Sequence, residues 1–214
     1  LAPILERDPW RIGTPMELGA LDPDGRAEYV DHHVYRDAEG VWHLWACVRR
    51  TTVGRVLCHW SSDDLYASDW AATGDVIRAS AAHGESLSDW HGEEWLQSPF
   101  VVEHEGSFYM FYGAHGSGAD AQGRPRDRDD PAMDCQICVM LSPDGRRWRR
   151  YAGDRGYSRV FLGPGEARDP CVLRIADEFV MYYAGYRHSS RDLPAFFART
   201  SHDLLKWSDP WIVH

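Results

Sequence analysis

"RDPCVLRIADEFVMYYAG", residues 168–185, runs from a charged, turn-like entry into a dense series of apolar and aromatic residues. An unpaired carboxylate taken out of water costs several kcal/mol, so an Arg-Asp pair at the entrance to a buried strand must be paired, hydrogen-bonded or functional. The same plan occurs twice upstream, in "VDHHVYRDAEGVWHLWAC" (30–47) and "LQSPFVVEHEGSFYMFYGA" (96–114). Each copy has a polar entry, a short apolar strand, an acidic turn and an aromatic-rich strand. Val34, Val101 and Val172 align at intervals of about 70 residues, which puts Asp31, Ser98 and Asp169 at one repeated position.

The repeat continues downstream of each copy. "VLCHWSSDDLYASDW" (56–70), "ICVMLSPDGRRW" (137–148) and "FFARTSHDLLKW" (196–207) each run from a strand to Ser, Asp and then Trp. Ser62, Ser142 and Ser201 align, as do Asp64, Asp144 and Asp203, and Trp70, Trp148 and Trp207 close the units. Ser and Asp two residues apart suit a turn whose side chains bond local backbone N–H groups, so these residues read as structural. The Trp is expected to open a fourth strand and to pack between units. Further strands are expected at 73–79 and 158–165.

Four short strands in every unit of about 70 residues, with no helical period, predict an all-β chain built of β-propeller blades. The expected blades are approximately 28–80, 94–165 and 166–214, within one propeller domain spanning 1–214. The rival architecture is a sandwich of about a dozen strands, which does not demand a common motif in each unit. Three blades cannot close a ring of the usual four to eight. The chain is therefore expected to be incomplete, or to self-associate through its open blade edges. A further Arg-Asp-Pro at 7–9 lacks the aromatic strand pair and is read as coincidence.

Composition narrows the function. With 43% apolar and 13% aromatic residues, including ten Trp, the 214-residue chain can build a core and also offer rings to sugars. A formal net charge of −10 disfavours nucleic acid or an anionic membrane as partner. No stretch approaches the roughly 20 apolar residues of a membrane helix, and no signal-like segment follows Leu1, so the expectation is a soluble chain. Five cysteines do not suggest a disulfide framework. Cys135 and Cys138 form a lone CxxC, but on a strand they face opposite sides, which favours core cysteines over a zinc site.

The repeated polar entry, the strand pattern "hxxxxGxaYahaY" and the repeated "SxDLxxW" resemble the five-bladed propeller glycosidases, glycoside hydrolase families 43, 32, 62 and 68 and their relatives. The resemblance covers residues 28–214, about three blades of five, and "ARDPCV" (167–172) is similar to the Arg-Asp-Pro motif of family 32. It implies that acidic residues at the starts of the innermost strands gather at one mouth of a central channel. Asp31 would be nucleophile or general base. Asp169 would be the carboxylate that stabilises the transition state, with Arg168 as its ion-pair or substrate-binding neighbour. The middle unit departs from this pattern, carrying Gln97 and Ser98 where an acidic residue could stand. Its general acid must therefore be sought elsewhere, at Glu166, at Glu93 or Glu94, or in a further blade.

His32, Trp95, Gln97 and His115 are the remaining candidates for contact with sugar, each with a structural alternative. His32 and His33 alternate across a strand, so only one can face the channel. Residues 116–134 resemble a calcium loop only superficially, and their interleaved Arg residues favour a solvated insertion. No cofactor is expected, although the propeller axis could hold a structural cation. The reading that results is a glycosidase acting on a furanoside or oligosaccharide, arabinofuranosidase- or fructosidase-like. Two alternatives stand beside it: a non-catalytic carbohydrate-binding propeller that has lost its acid, and a structural interaction propeller of another family.

Overall fold

The structure is a computed structural model, which describes residues 16–85, 93–115, 135–153, 156–163, 167–187 and 193–213. The described residues form thirteen strands and two single-turn 3-10 helices, at Gly19–Leu21 and Ala81–His83. Three successive antiparallel units account for all the strands. The first comprises β1 (Glu28–Arg36), β2 (Trp42–Thr51), β3 (Gly54–Ser62) and β4 (Ala71–Ile77). The second comprises β5 (Glu94–His104), β6 (Ser107–His115) and β7 (Cys135–Ser142), which pairs with both β8 (Arg149–Arg150) and β9 (Arg159–Leu162). The third comprises β10 (Arg168–Ile175), β11 (Glu178–Tyr186), β12 (Pro194–Ser201) and β13 (Trp211–Ile212). The first strands lie side by side, with β5 packed against both β1 and β10.

Hydrophobic layers hold each unit to the next. Tyr35, Trp45, Cys47 and Leu57 of the first unit form one cluster with Leu96, Met110, Tyr112 and Met140 of the second. Phe111, Ile137, Val139 and Phe161 of the second form another with Val172, Met181, Tyr183 and Phe197 of the third. The opposite face of the first unit is covered by Met16 and Leu18. The repeated Ser and Asp build the turn anticipated from their spacing. The Oγ atoms of Ser62, Ser142 and Ser201 accept from the amides of Asp64, Asp144 and Asp203, at 3.2–3.3 Å. Trp148 then reaches back to Tyr35 of the first unit, and Trp207 to Phe111 and Phe161 of the second. Trp70 is fully buried, whereas Trp148 and Trp207 are partly buried.

One connection departs from the separate units expected. A short parallel ladder, Gly54 to Glu94 and Arg55 to Trp95, joins β3 to β5 and makes one nine-stranded sheet of the first two units. Gly54 permits it: its φ is +110°, and a Cβ there would stand 2.3 Å from the Glu94 carbonyl oxygen. The connection around residues 78–85 is also tied down by charge. Arg78 donates to both carboxylate oxygens of Glu94, and the Ala79 amide to one of them. Fully buried Glu85 accepts from Arg150, Ser158, Tyr112 and the Ser80 amide, so its charge is paired and hydrogen-bonded as burial requires.

A polar clasp also spans the first two units. His43 lies between the imidazole of His59, 2.8 Å away, and the carboxylate of Asp37, 3.0 Å away. Asp37 also accepts from Arg146, while the Tyr35 hydroxyl donates to the Gly145 carbonyl, both in the second unit. Tyr35, His43, His59 and Trp45 stack ring on ring. Burial lowers His59 to about 4, although its hydrogen bond to Asp75 works the other way. His33, half-buried against Phe100, is likewise lowered by desolvation to about 4. Burial alone would raise Asp37, but Arg146, His43 and the Val41 amide hold it at about 2.

These bases resist protonation when folded and accept it when unfolded, near 6.5. Their contribution to stability is therefore complete above 6.5 and declines as pH falls towards 4. That of Asp37 is lost later, between its unfolded value near 3.8 and about 2. Urea midpoints measured from pH 7 to 4 should fall, and His59→Gln should flatten part of the decline. An unchanged slope in that variant would show that His59 is not responsible.

Candidate active site

Asp31, Ser98 and Asp169 share an uncommon backbone conformation. Their φ angles are +42°, +52° and +58°, in the left-handed region that costs an L-residue roughly 1–2 kcal/mol. Each lies in a break in the ladder of its unit's first strand: between Val30 and His32, between Gln97 and Phe100, and between Arg168 and Cys171. These are β-bulges, which re-aim a side chain that regular pleating would send to a sheet face. Pro99 and Pro170 sit within two of the breaks, where a missing N–H forfeits no ladder bond.

The three side chains meet. The Ser98 hydroxyl stands 2.6 Å from Asp169 Oδ1 and 3.2 Å from Asp31 Oδ2, across sequence separations of 71 and 67 residues. A hydroxyl has one proton, and the shorter contact gives it to Asp169, leaving Asp31 at the edge of hydrogen-bonding reach. Both carboxylates are exposed, whereas Ser98 is buried. Two anionic groups therefore face solvent across a buried hydroxyl, an arrangement able to accept from sugar hydroxyls and to stabilise developing positive charge. Arg168 Nη1 lies 3.7 Å from Asp169 Oδ2, a loose and half-exposed pair.

Beside this trio, Gln97 is buried and accepts from Arg55 Nη1 at 2.5 Å. Arg55 lies 3.6 Å above the Trp95 ring, and the His115 ring stacks on Trp95 at 4.7 Å. Trp95 is held between the two, so it offers a ligand its edge and not the open face anticipated for sugar stacking. His115 is buried within this stack. His33, not His32, turns towards the second unit and packs on Phe100, leaving His32 exposed on the opposite face of β1. Glu94 is engaged with Arg78, while Glu93 is exposed. Glu166 and residues 116–134 lie outside the described residues.

Arg55 could not be found from the repeat, because only the local β3–β5 ladder brings it to the second unit's entry strand. Cys135 and Cys138 are both buried and are not joined in a disulfide, and burial raises Cys138 well above its ordinary range. No group of three or more His, Cys, Asp or Glu suited to a metal occurs among the described residues. A groove of about 670 Å³ opens beside Arg168, lined by Tyr186, Phe196, Ile212 and Val213 among others. Its size falls within the range of small-molecule sites.

Comparison with known proteins identifies this fold. It resembles that of a thermostable family-43 glycoside hydrolase, with a TM-score of 0.57 and 19% identity over 92% of this chain and 56% of the other. A family 117 glycoside hydrolase from the marine bacterium Zobellia galactanivorans gives 0.62 and 16%, covering 94% of this chain and 60% of that one. The GH32 β-fructofuranosidase of Bombyx mori gives 0.59 and 19%, covering 91% and 38%. The chain thus spans between 38% and 60% of the length of these three structures. No family model matches it, and no curated protein does. The family-43 and family-32 resemblance carried by the sequence motifs is met by structures of both families. No described helix is long and apolar enough to cross a membrane.

The Ser98 position gives a test of the bulge. Ser98→Gly removes the hydroxyl and relieves the left-handed backbone, whereas Ser98→Ala removes the hydroxyl alone. The glycine variant should be more stable than the alanine variant by about 1 kcal/mol in urea unfolding. Equal stabilities would mean that φ at Ser98 is not under strain.

Proposed function

We propose that the chain is part of a five-bladed propeller glycosidase that acts on a glycosidic bond of a furanoside or furanoside-containing oligosaccharide. The observation that carries this reading is the meeting of Asp31 and Asp169, from two separate units, on the hydroxyl of Ser98. Glycoside hydrolysis uses paired carboxylates about an oxocarbenium-like transition state. In this reading Asp31 attacks or activates water, Asp169 stabilises the transition state through sugar hydroxyls, and Arg168 steadies Asp169. The likeness in fold to glycoside hydrolases supports the reaction class. The exposure of both carboxylates supports their access to substrate.

Asp169→Asn conserves shape while removing charge. Turnover of an aryl arabinofuranoside should fall at least a hundredfold, on the order expected for a lost catalytic group, with the melting temperature little changed. Comparable losses in both would make Asp169 a structural strand-entry residue.

A second reading is a non-catalytic carbohydrate-binding propeller, favoured by Gln97 and Ser98 at the middle entry, where no proton donor stands. An aryl leaving group needs little protonation, so a chain without its acid should cleave an activated aryl furanoside but not an unactivated oligosaccharide. Cleavage of both would place an acid within these 214 residues, and Glu166→Gln would test the first candidate. Binding with cleavage of neither would favour the second reading.

We also propose that the chain self-associates through its third unit. Leu173, Ile175, Phe196, Trp211 and Val213 of this unit are all exposed, which supplies apolar side chains that a contact between copies would bury. Sedimentation velocity should show reversible, concentration-dependent association that Phe196→Glu with Trp211→Glu abolishes. A monomer at every concentration would refute it.

A further inference from the structure

Arginine carries only N–H donors, so the Gln97 oxygen must face Arg55 and its NH2 group must face away. The same guanidinium lies over Trp95, which also stacks on His115, so Arg55 is held by both Gln97 and Trp95. The amide nitrogen lies beside Gly113, the ladder partner of Gln97 on β6. A Cβ added at Gly113 would meet Gln97 Cγ at 3.1 Å, Gln97 Nε2 at 3.4 Å and Arg168 Cα at 3.6 Å. The missing side chain thus leaves the amide beside the strand entry that carries Asp169. Gln97 itself is 3% exposed, so its orientation is set by its neighbours and not by solvent.

We propose that Arg55 is a positioning residue of the carbohydrate site, fixing the Gln97 amide as a donor to a sugar oxygen held next to Asp169. The proposal rests on the carbohydrate reading above and adds a donor, beside Arg168, to the mouth that carries the carboxylates of Asp31 and Asp169. Arg55 does not itself touch the sugar. It withdraws the Gln97 acceptor, so the site selects a ligand atom that accepts at that point. Gly113 keeps the space in which the amide lies.

The test is a double-mutant cycle on an aryl arabinofuranoside. Arg55→Met and Gln97→Met should each raise KM by about tenfold, the loss of one buried hydrogen bond, with kcat within about twofold. Because one residue acts through the other, the double variant should be no worse than either single variant. Arg55→Lys should recover part of the loss, and Gly113→Ala should raise KM by displacing the amide. Additive losses would overturn the proposal, since Arg55 would then contact the ligand itself. Reduced thermal stability with an unchanged KM would also overturn it.

Should the unmodified protein cleave nothing, the hydrolase reading fails while the positioning role is still read by binding. Calorimetric titration with the same glycoside should then show the same non-additive loss of affinity. The side-chain NH2 signals of Gln97 in ¹⁵N-resolved NMR should shift on titration in the parent protein but not in Arg55→Met. No binding, or no response at Gln97, would refute it.

Discussion

Three residues in the left-handed backbone region, one in each unit, govern what the rest of the structure can present. In a regular strand, alternate side chains face the two sides of the sheet; the middle unit packs on both sides, and the outer two each pack at least one side against it. A polar side chain there would be buried or directed into a neighbouring layer. The bulge at Asp31, Ser98 and Asp169 removes one residue from that alternation and turns it off the sheet. The strain persists because the hydrophobic layers between successive units over-determine the strand path. The site is therefore a property of the backbone first, and of its side chains second.

Much of this was legible in the sequence, for a physical reason. A repeat forces equivalent residues into equivalent environments, so aligning Val34, Val101 and Val172 was enough to bring Asp31, Ser98 and Asp169 together. The Ser-Asp turns were legible because their chemistry is local, completed within a few residues by the backbone amides. Pro99 and Pro170 also carried a signal, since proline inside an otherwise regular strand marks a bulge. The sequence did not disclose how neighbouring units touch. Arg55 enters through a two-residue parallel ladder that no periodicity announces, and Trp95 loses its open faces to Arg55 and His115, residues distant from it in sequence.

Charge is handled differently at the site and away from it. Glu85, Glu94 and Asp37 are buried, and each is met by an arginine and by backbone amides. Asp31 and Asp169 remain in contact with water, with one serine hydroxyl between them and one loosely placed arginine. The first group spends its charge on joining segments of the chain. The second keeps its charge available to whatever enters the mouth. Burial, not residue type, separates the two.

The tryptophans that close the Ser-Asp turns give the chain a direction. Trp148 lies against Tyr35 and Trp207 against Phe111 and Phe161, so the closing rings of the second and third units are each set into the unit made before. On a ribosome, where synthesis runs from the amino terminus and domains fold as they emerge, each new unit would cap the apolar layer its predecessor had left open. At any moment only the most recently made sheet would present an unprotected face. A modular chain with backward-reaching contacts thus shortens the time during which its own strands can pair wrongly, and does so without a separate device for the purpose.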